Sequence, residues 1–249
     1  MLDFLEYIYG QSYKHLKAIV FNQGSPLHRT IMSLYVSIME QTYNALVLLR
    51  ADQHATLDII FRSTLEAYVD LINLCNDPEY LKQMQASFHD QWIKLAQHGV
   101  RGGNPFLIKF ENSTDAAQRL AEHQAGLAAL GVKPMSIYEK FRLAGFEQIY
   151  QSVYNSLCNE SHNNIRALTL RHFRFDENEN PQLVMFAEPS PDSLNGTLSG
   201  YLSALSDTTH IVHTYFKTKA LPEIESFRAE HSRFIEDFEA KMQADGLNP

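Results

Sequence analysis

From Leu27 to Arg50, apolar side chains return every three or four positions, at Ile31, Leu34, Tyr35, Ile38, Ala45, Leu46 and Leu49, with Thr42 in the same stripe. That spacing matches the 3.6-residue turn and predicts a long amphipathic helix. Pro26 suits its first turn, where a missing N–H costs no hydrogen bond. A second stripe, Leu57, Ile60, Phe61, Leu65, Tyr68, Val69 and Ile72, runs to Cys75 and stops at Asn76-Asp77-Pro78, because proline cannot continue the ladder. Helical patterns then cover about 79–98, 113–130 and 137–143, punctuated by Gly102-Gly103, Gly131 and Gly145. A longer one spans about 146–170, with Ile149, Val153, Leu157, Ile165 and Leu168 facing inward and His162 and Arg166 one turn apart. The period then changes. His172-Phe-Arg-Phe and Gln182-Leu-Val-Met-Phe flank the polar run Asp176 to Pro181, which predicts a small hairpin. Helices at about 192–218 and 222–244 complete the chain.

The expected fold is therefore all-α: a single multi-helix bundle with a small β-hairpin excursion around residues 171–187. No repeat or linker composition divides residues 1–249, so one domain is expected, its core at about 27–218 and its charged C-terminal helix at about 222–244. With 249 residues, 45% of them hydrophobic, there is enough chain to bury a sizeable core. The formal charge of −8 disfavours indiscriminate binding to nucleic acid or to an anionic membrane, so either partner would need a local basic patch. Cys75 and Cys158 match neither a disulfide framework nor a zinc-ligand spacing. The N-terminus lacks the pattern of a signal peptide, and no apolar run reaches the roughly 18 residues of a membrane span. A cytoplasmic protein without membrane contact is expected.

Two segments carry more polar chemistry than folding demands. Asp58, Arg62, Glu66 and Asp70 recur every fourth residue inside an otherwise apolar helix. Exposed, such a row is a run of ion pairs each contributing about 0.2–0.5 kcal/mol. Turned inward, Arg62 must be paired, and Glu66 is the available carboxylate. The second segment runs from Cys158 through His162, Asn163, Asn164, Arg166, Arg171, His172 and Arg174. Between Ser161 and Phe175 it has three arginines and no acid. One reading is a helix end whose cations complement the dipole. The other is an anion site, where arginine holds a phosphate and histidine moves a proton without a metal. His210 and His213 share a helix, but no further ligand makes them a metal centre, and no Glu-x-x-His, GxSxG or HExxH is present. No metal or cofactor is expected.

Arg62-Ser-Thr-Leu-Glu66-Ala67-Tyr68, followed by Cys158-Asn-Glu-Ser-His162-Asn163 and Arg171-His172, resembles the bacterial family labelled domain of unknown function 5677, over about residues 25–220. That family is similar in turn to the HEPN helical domains, many of which are dimeric, metal-independent RNases of toxin and anti-phage systems. The resemblance implies a homodimer acting on RNA or a nucleotide. It also implies that an arginine and a histidine four to six residues apart carry cleavage, and Arg166 and His172 have that separation. Ala167 departs from the polar residue that often follows the arginine.

Two functions are thus expected of the sequence. In the first, a metal-independent endoribonuclease of defence or stress response, His162, Arg166, Arg171 and His172 are catalytic and Arg62, Glu66 and Asn163 bind substrate. In the second, a non-catalytic ligand-binding or assembly module, the same Arg, Glu, His and Asn residues form a structural network.

Overall fold

A computed structural model of the chain describes residues 1–111, 113–162 and 164–244, apart from the side chains at 239 and 242–244. Along the chain lie α1 (Leu2–His15), α2 (Pro26–Arg50), α3 (Leu57–Asn76), α4 (Tyr80–Arg101), α5 (Thr114–Leu130), α6 (Ile137–Leu143) and α7 (Glu147–Ile149). A π-helical turn (Tyr150–Tyr154), α8 (Asn155–Ser161), α9 (Ile165–His172), β1 (Phe173–Phe175), β2 (Pro181–Leu183), α10 (Pro191–Tyr215) and α11 (Leu221–Ala244) follow. The architecture is a mostly helical bundle with one antiparallel hairpin, in which Arg174 lies opposite Gln182.

The two stripes read from the sequence meet at the centre. α2 and α3 pack along each other and α10 lies across both, burying Tyr35, Ile38, Leu71, Leu74, Tyr201, Leu202 and Leu205. The Ser25 side chain caps α2 by accepting the His28 N–H, and Ser190 caps α10 by accepting that of Ser193. A close approach of α10 to α3 depends on Gly200: a Cβ there would sit 2.3 Å from the ring of buried Phe61. Some of the polar groups inside this layer are matched to one another. Tyr35 donates to Thr209 Oγ1 at 3.2 Å, and Thr209 meets Ser12 at 2.9 Å, joining α2, α10 and α1.

The core reaches beyond the expected limits of 27 and 218. α1 buries Leu5 and Ile8 completely, and α11 buries Ile224 and Phe227. The long helix expected over 146–170 is instead interrupted twice. The π-helical turn accommodates one residue more than an α-helical turn, so Tyr154 faces inward where an unbroken phase would have put Val153, which is 43% exposed. The chain then turns at His162, and Asn164 caps a separate helix by accepting the Arg166 N–H at 2.9 Å. Ile165 is consequently 81% exposed rather than inward.

α4 and α5 pack mainly on each other and meet the bundle at the base of α4. There Asp70 accepts from Tyr80 at 2.5 Å and from Lys140 of α6 at 3.0 Å, while Asn73 donates to the Lys140 carbonyl at 2.9 Å. No described helix is long and apolar enough to cross a membrane.

Candidate functional site

The row of charges on α3 does not act as a single run of ion pairs, because successive members are drawn to different neighbours. Arg62 is the hub. Its Nη2 lies 3.0 Å from Glu66 Oε1 and donates to Tyr154 Oη at 3.0 Å, and its Nε donates to Cys158 Sγ at 3.3 Å. The Tyr154 hydroxyl in turn donates to Glu66 Oε1 at 2.7 Å, closing a ring of contacts between α3, the π-helical turn and α8. The π phase makes this possible by directing Tyr154 to α3 together with Cys158, one turn further on. Desolvation works against the charge on Arg62, but hydrogen bonds from it to Cys158 and Tyr154 and the adjacent Glu66 carboxylate outweigh that penalty and hold it firmly cationic. Burial and the Glu66 carboxylate together push the Tyr154 phenol up, so it remains a donor.

One turn before Arg62, Asp58 takes a different direction. It accepts from Thr197 of α10 at 2.8 Å and lines an open cavity of about 750 Å³. Arg171 and Arg174 stand on the wall supplied by α9 and β1, with Glu160 of α8 beside them and Ser190 and Ser193 at the start of α10. Arg171 is bound through Nη2 to Glu160, at 2.7 Å to the carboxylate and 3.3 Å to the carbonyl. Arg174 holds three carbonyls, those of Leu170, Phe173 and Glu188, and so fixes the hairpin against the α9 C-terminus. Burial raises the Asp58 pKa; the Thr197 hydrogen bond opposes this, Glu160 adds to it, and Arg171 offsets part of the rise.

Of the residues expected at the site, Arg62 and Glu66 are joined, and Arg171 lines the cavity one turn of α3 away from them. The others do not converge with these. His162 is the C-cap of α8 and is exposed, as is Arg166 in the first turn of α9; the end of α8 at His162 and the Asn164 cap of α9 put them on separate helices. His172 is half-buried at the end of α9, where its carbonyl accepts the Val184 N–H. Asn163 lies outside the described residues. His210 and His213 also diverge, His210 towards Arg228 and His213 into the core against Thr218. Among the described residues no three His, Cys, Asp or Glu side chains gather as metal ligands.

Sequence reasoning missed Tyr154, Glu160 and Thr197. Glu160 was in view within the Cys158–His162 run; Tyr154 and Thr197 carried no signal, because their positions depend on the π turn and on how α10 crosses α3.

The model of a family described as a family of unknown function (DUF5677) matches residues 28–181, a stretch that holds α3, the π-helical turn, α8 and α9. No curated protein and no solved structure matches the chain.

Proposed function

We infer, for a chain that belongs to the DUF5677 family of unknown function, that it is a ligand-binding module whose cavity takes a nucleotide, with the Arg62 network as its structural support. The observation that carries this reading is the division of labour on α3. The Arg62 head group is engaged by Glu66, Tyr154 and Cys158, whereas Asp58, one turn away, opens into a cavity of nucleotide size. Arg171 would meet the phosphate through Nε and Nη1, which have no acceptor among the described residues. The free thiols at Cys75 and Cys158 support a reducing, cytoplasmic setting. Calorimetric titration with nucleoside monophosphates tests the reading. Binding that Arg171→Ala weakens by about tenfold or more is expected for a lost charge-assisted contact, and no heat from any monophosphate would overturn it.

A second reading, a metal-independent and dimeric ribonuclease, draws on the exposure of His162 and Arg166 within an acid-free stretch. In it a 2′-hydroxyl attacks the adjacent phosphate while His162 and His172 exchange protons and Arg166 holds the charge. Cleavage of RNA in the presence of a chelator, lost in both His162→Ala and His172→Ala, is its signature. Intact cleavage in both variants would remove it.

A further inference from the structure

Asp58 has an unusual position for a carboxylate at a cavity wall. Thr197 satisfies Oδ1, but no donor among the described residues reaches Oδ2. The nearby cation, Arg171, is paired with Glu160 through Nη2 alone. The carboxylate is partly buried and has one oxygen open to the cavity; burial and Glu160 raise its pKa, and Arg171 offsets part of the rise. Such a group is completed by a ligand that brings N–H donors to it. Elsewhere the lining has the reverse character: Arg171 and Arg174 supply positive charge, and Ala167, Leu170 and Pro189 supply apolar surface on which a planar ring would rest.

We propose that the cavity is selective for guanine nucleotides, with the Asp58 carboxylate as the residue that reads the base. This rests on the nucleotide reading above. Guanine presents two adjacent donors, N1–H and the N2 amine, spaced to meet the two oxygens of a carboxylate. Adenine places its unprotonated N1 beside the N6 amine, so a lone pair would oppose a carboxylate oxygen. Uracil flanks its single donor with two carbonyls, and cytosine offers only its N4 amine to a carboxylate. The phosphate of a bound guanine nucleotide is held by Arg171, so base and phosphate are recognised by separate residues of the lining.

The test is calorimetric titration of the full chain with GMP, AMP, IMP and XMP, repeated with Asp58→Asn. Wild type is expected to bind GMP about tenfold or more tighter than AMP, with IMP, which lacks the N2 amine, in between. Asparagine accepts from N1–H but donates from its amide, which suits the C2 carbonyl of xanthine, so Asp58→Asn is expected to prefer XMP to GMP. A structural role for Asp58 would not produce that inversion. Equal binding of GMP and AMP, or an Asp58→Asn variant that retains preference for GMP, overturns the proposal while leaving the nucleotide reading intact. No binding of any of the four overturns both.

Discussion

Asp58 and Arg62 stand one turn apart on α3 and serve opposite purposes: the carboxylate faces the cavity and Thr197, while the guanidinium is locked against Tyr154 and Cys158. A helix offers neighbouring positions at i and i+4 that share a general direction, and here the crossing of α10 on one side and α8 on the other separates them.

The Arg62 ring of contacts is expected to be cooperative. Arg62→Ala and Tyr154→Phe should each lower stability by about 1–2 kcal/mol, moderated because both Arg62 and Glu66 keep some solvent access. Their double variant should lose less than the sum, with a coupling of about 0.5 kcal/mol or more. Urea titration of the four proteins measures this, and strict additivity would mean that the contacts act independently.

Gly200→Ala is expected to be costly although alanine favours helices. The new Cβ would lie 2.3 Å and 2.7 Å from two atoms of the Phe61 ring, which is itself packed against Tyr201. A loss of about 1–3 kcal/mol follows from such overpacking. Adding Phe61→Leu should recover part of it; a thermal melt in which Gly200→Ala matches wild type would show that the two helices part easily.

Stability should fall on mild acidification because of His213. This residue is fully buried, its Nδ1 is 2.6 Å from Thr218 Oγ1, and its Nε2 is buried without a partner. Burial, and then the nearby His15, lower its pKa from 6.5 to about 4. Between those values the unfolded chain takes up a proton that the folded chain refuses, so the contribution is complete above the unfolded value and is lost as pH drops towards 4. Between pH 7.5 and 5 the loss is about 2 kcal/mol. His210 and His231, also lowered chiefly by burial, add in the same direction. Denaturant midpoints against pH should therefore flatten in His213→Gln, and an unchanged slope would assign the acid sensitivity elsewhere.

The α4–α5 pair carries its own reporter. Trp92, the sole tryptophan, stacks on His123 with the planes 3° apart, and His123 Nδ1 lies 3.0 Å from His89 Nδ1. His123→Ala should uncover the indole and red-shift its emission. An unaltered spectrum would place Trp92 in some other environment.

The main helices were legible in the sequence where burial is one-sided. α2, α3 and α6 begin and end within a residue or so of the limits that their apolar stripes and Pro and Gly signals imply. Gly131, expected to close the alanine-rich helix, does so in the left-handed conformation at φ 67°. α1 was harder to read because its apolar positions are mixed with tyrosines, several of them partly exposed, although Leu5 and Ile8 are fully buried. The site was half legible. The pairing of Arg62 with Glu66 follows from spacing and the cost of an unpaired charge, but its completion by Tyr154 requires a π turn that has no compositional signature. Likewise, reading His162 and Arg166 as neighbours assumed continuous helix through Asn163-Asn164, and the Asn164 side chain ends that continuity by capping α9.

The π-helical turn at Tyr150–Tyr154 also makes the surroundings of Arg62 depend on the number of residues between α7 and α8 and not only on their identity. Removing a single residue there would let the backbone relax to ordinary α-helix with α8 still in phase, whereas a substitution that straightened the turn without removing a residue would rotate all of α8 by about 100° about its axis. Cys158 would swing off Arg62 and Glu160 off Arg171, uncoupling the network and one wall of the cavity in the same stroke. A single-residue deletion within 150–154 would thus be tolerated better than one inside α8, because the π turn holds the one residue that an α-helix there does not need.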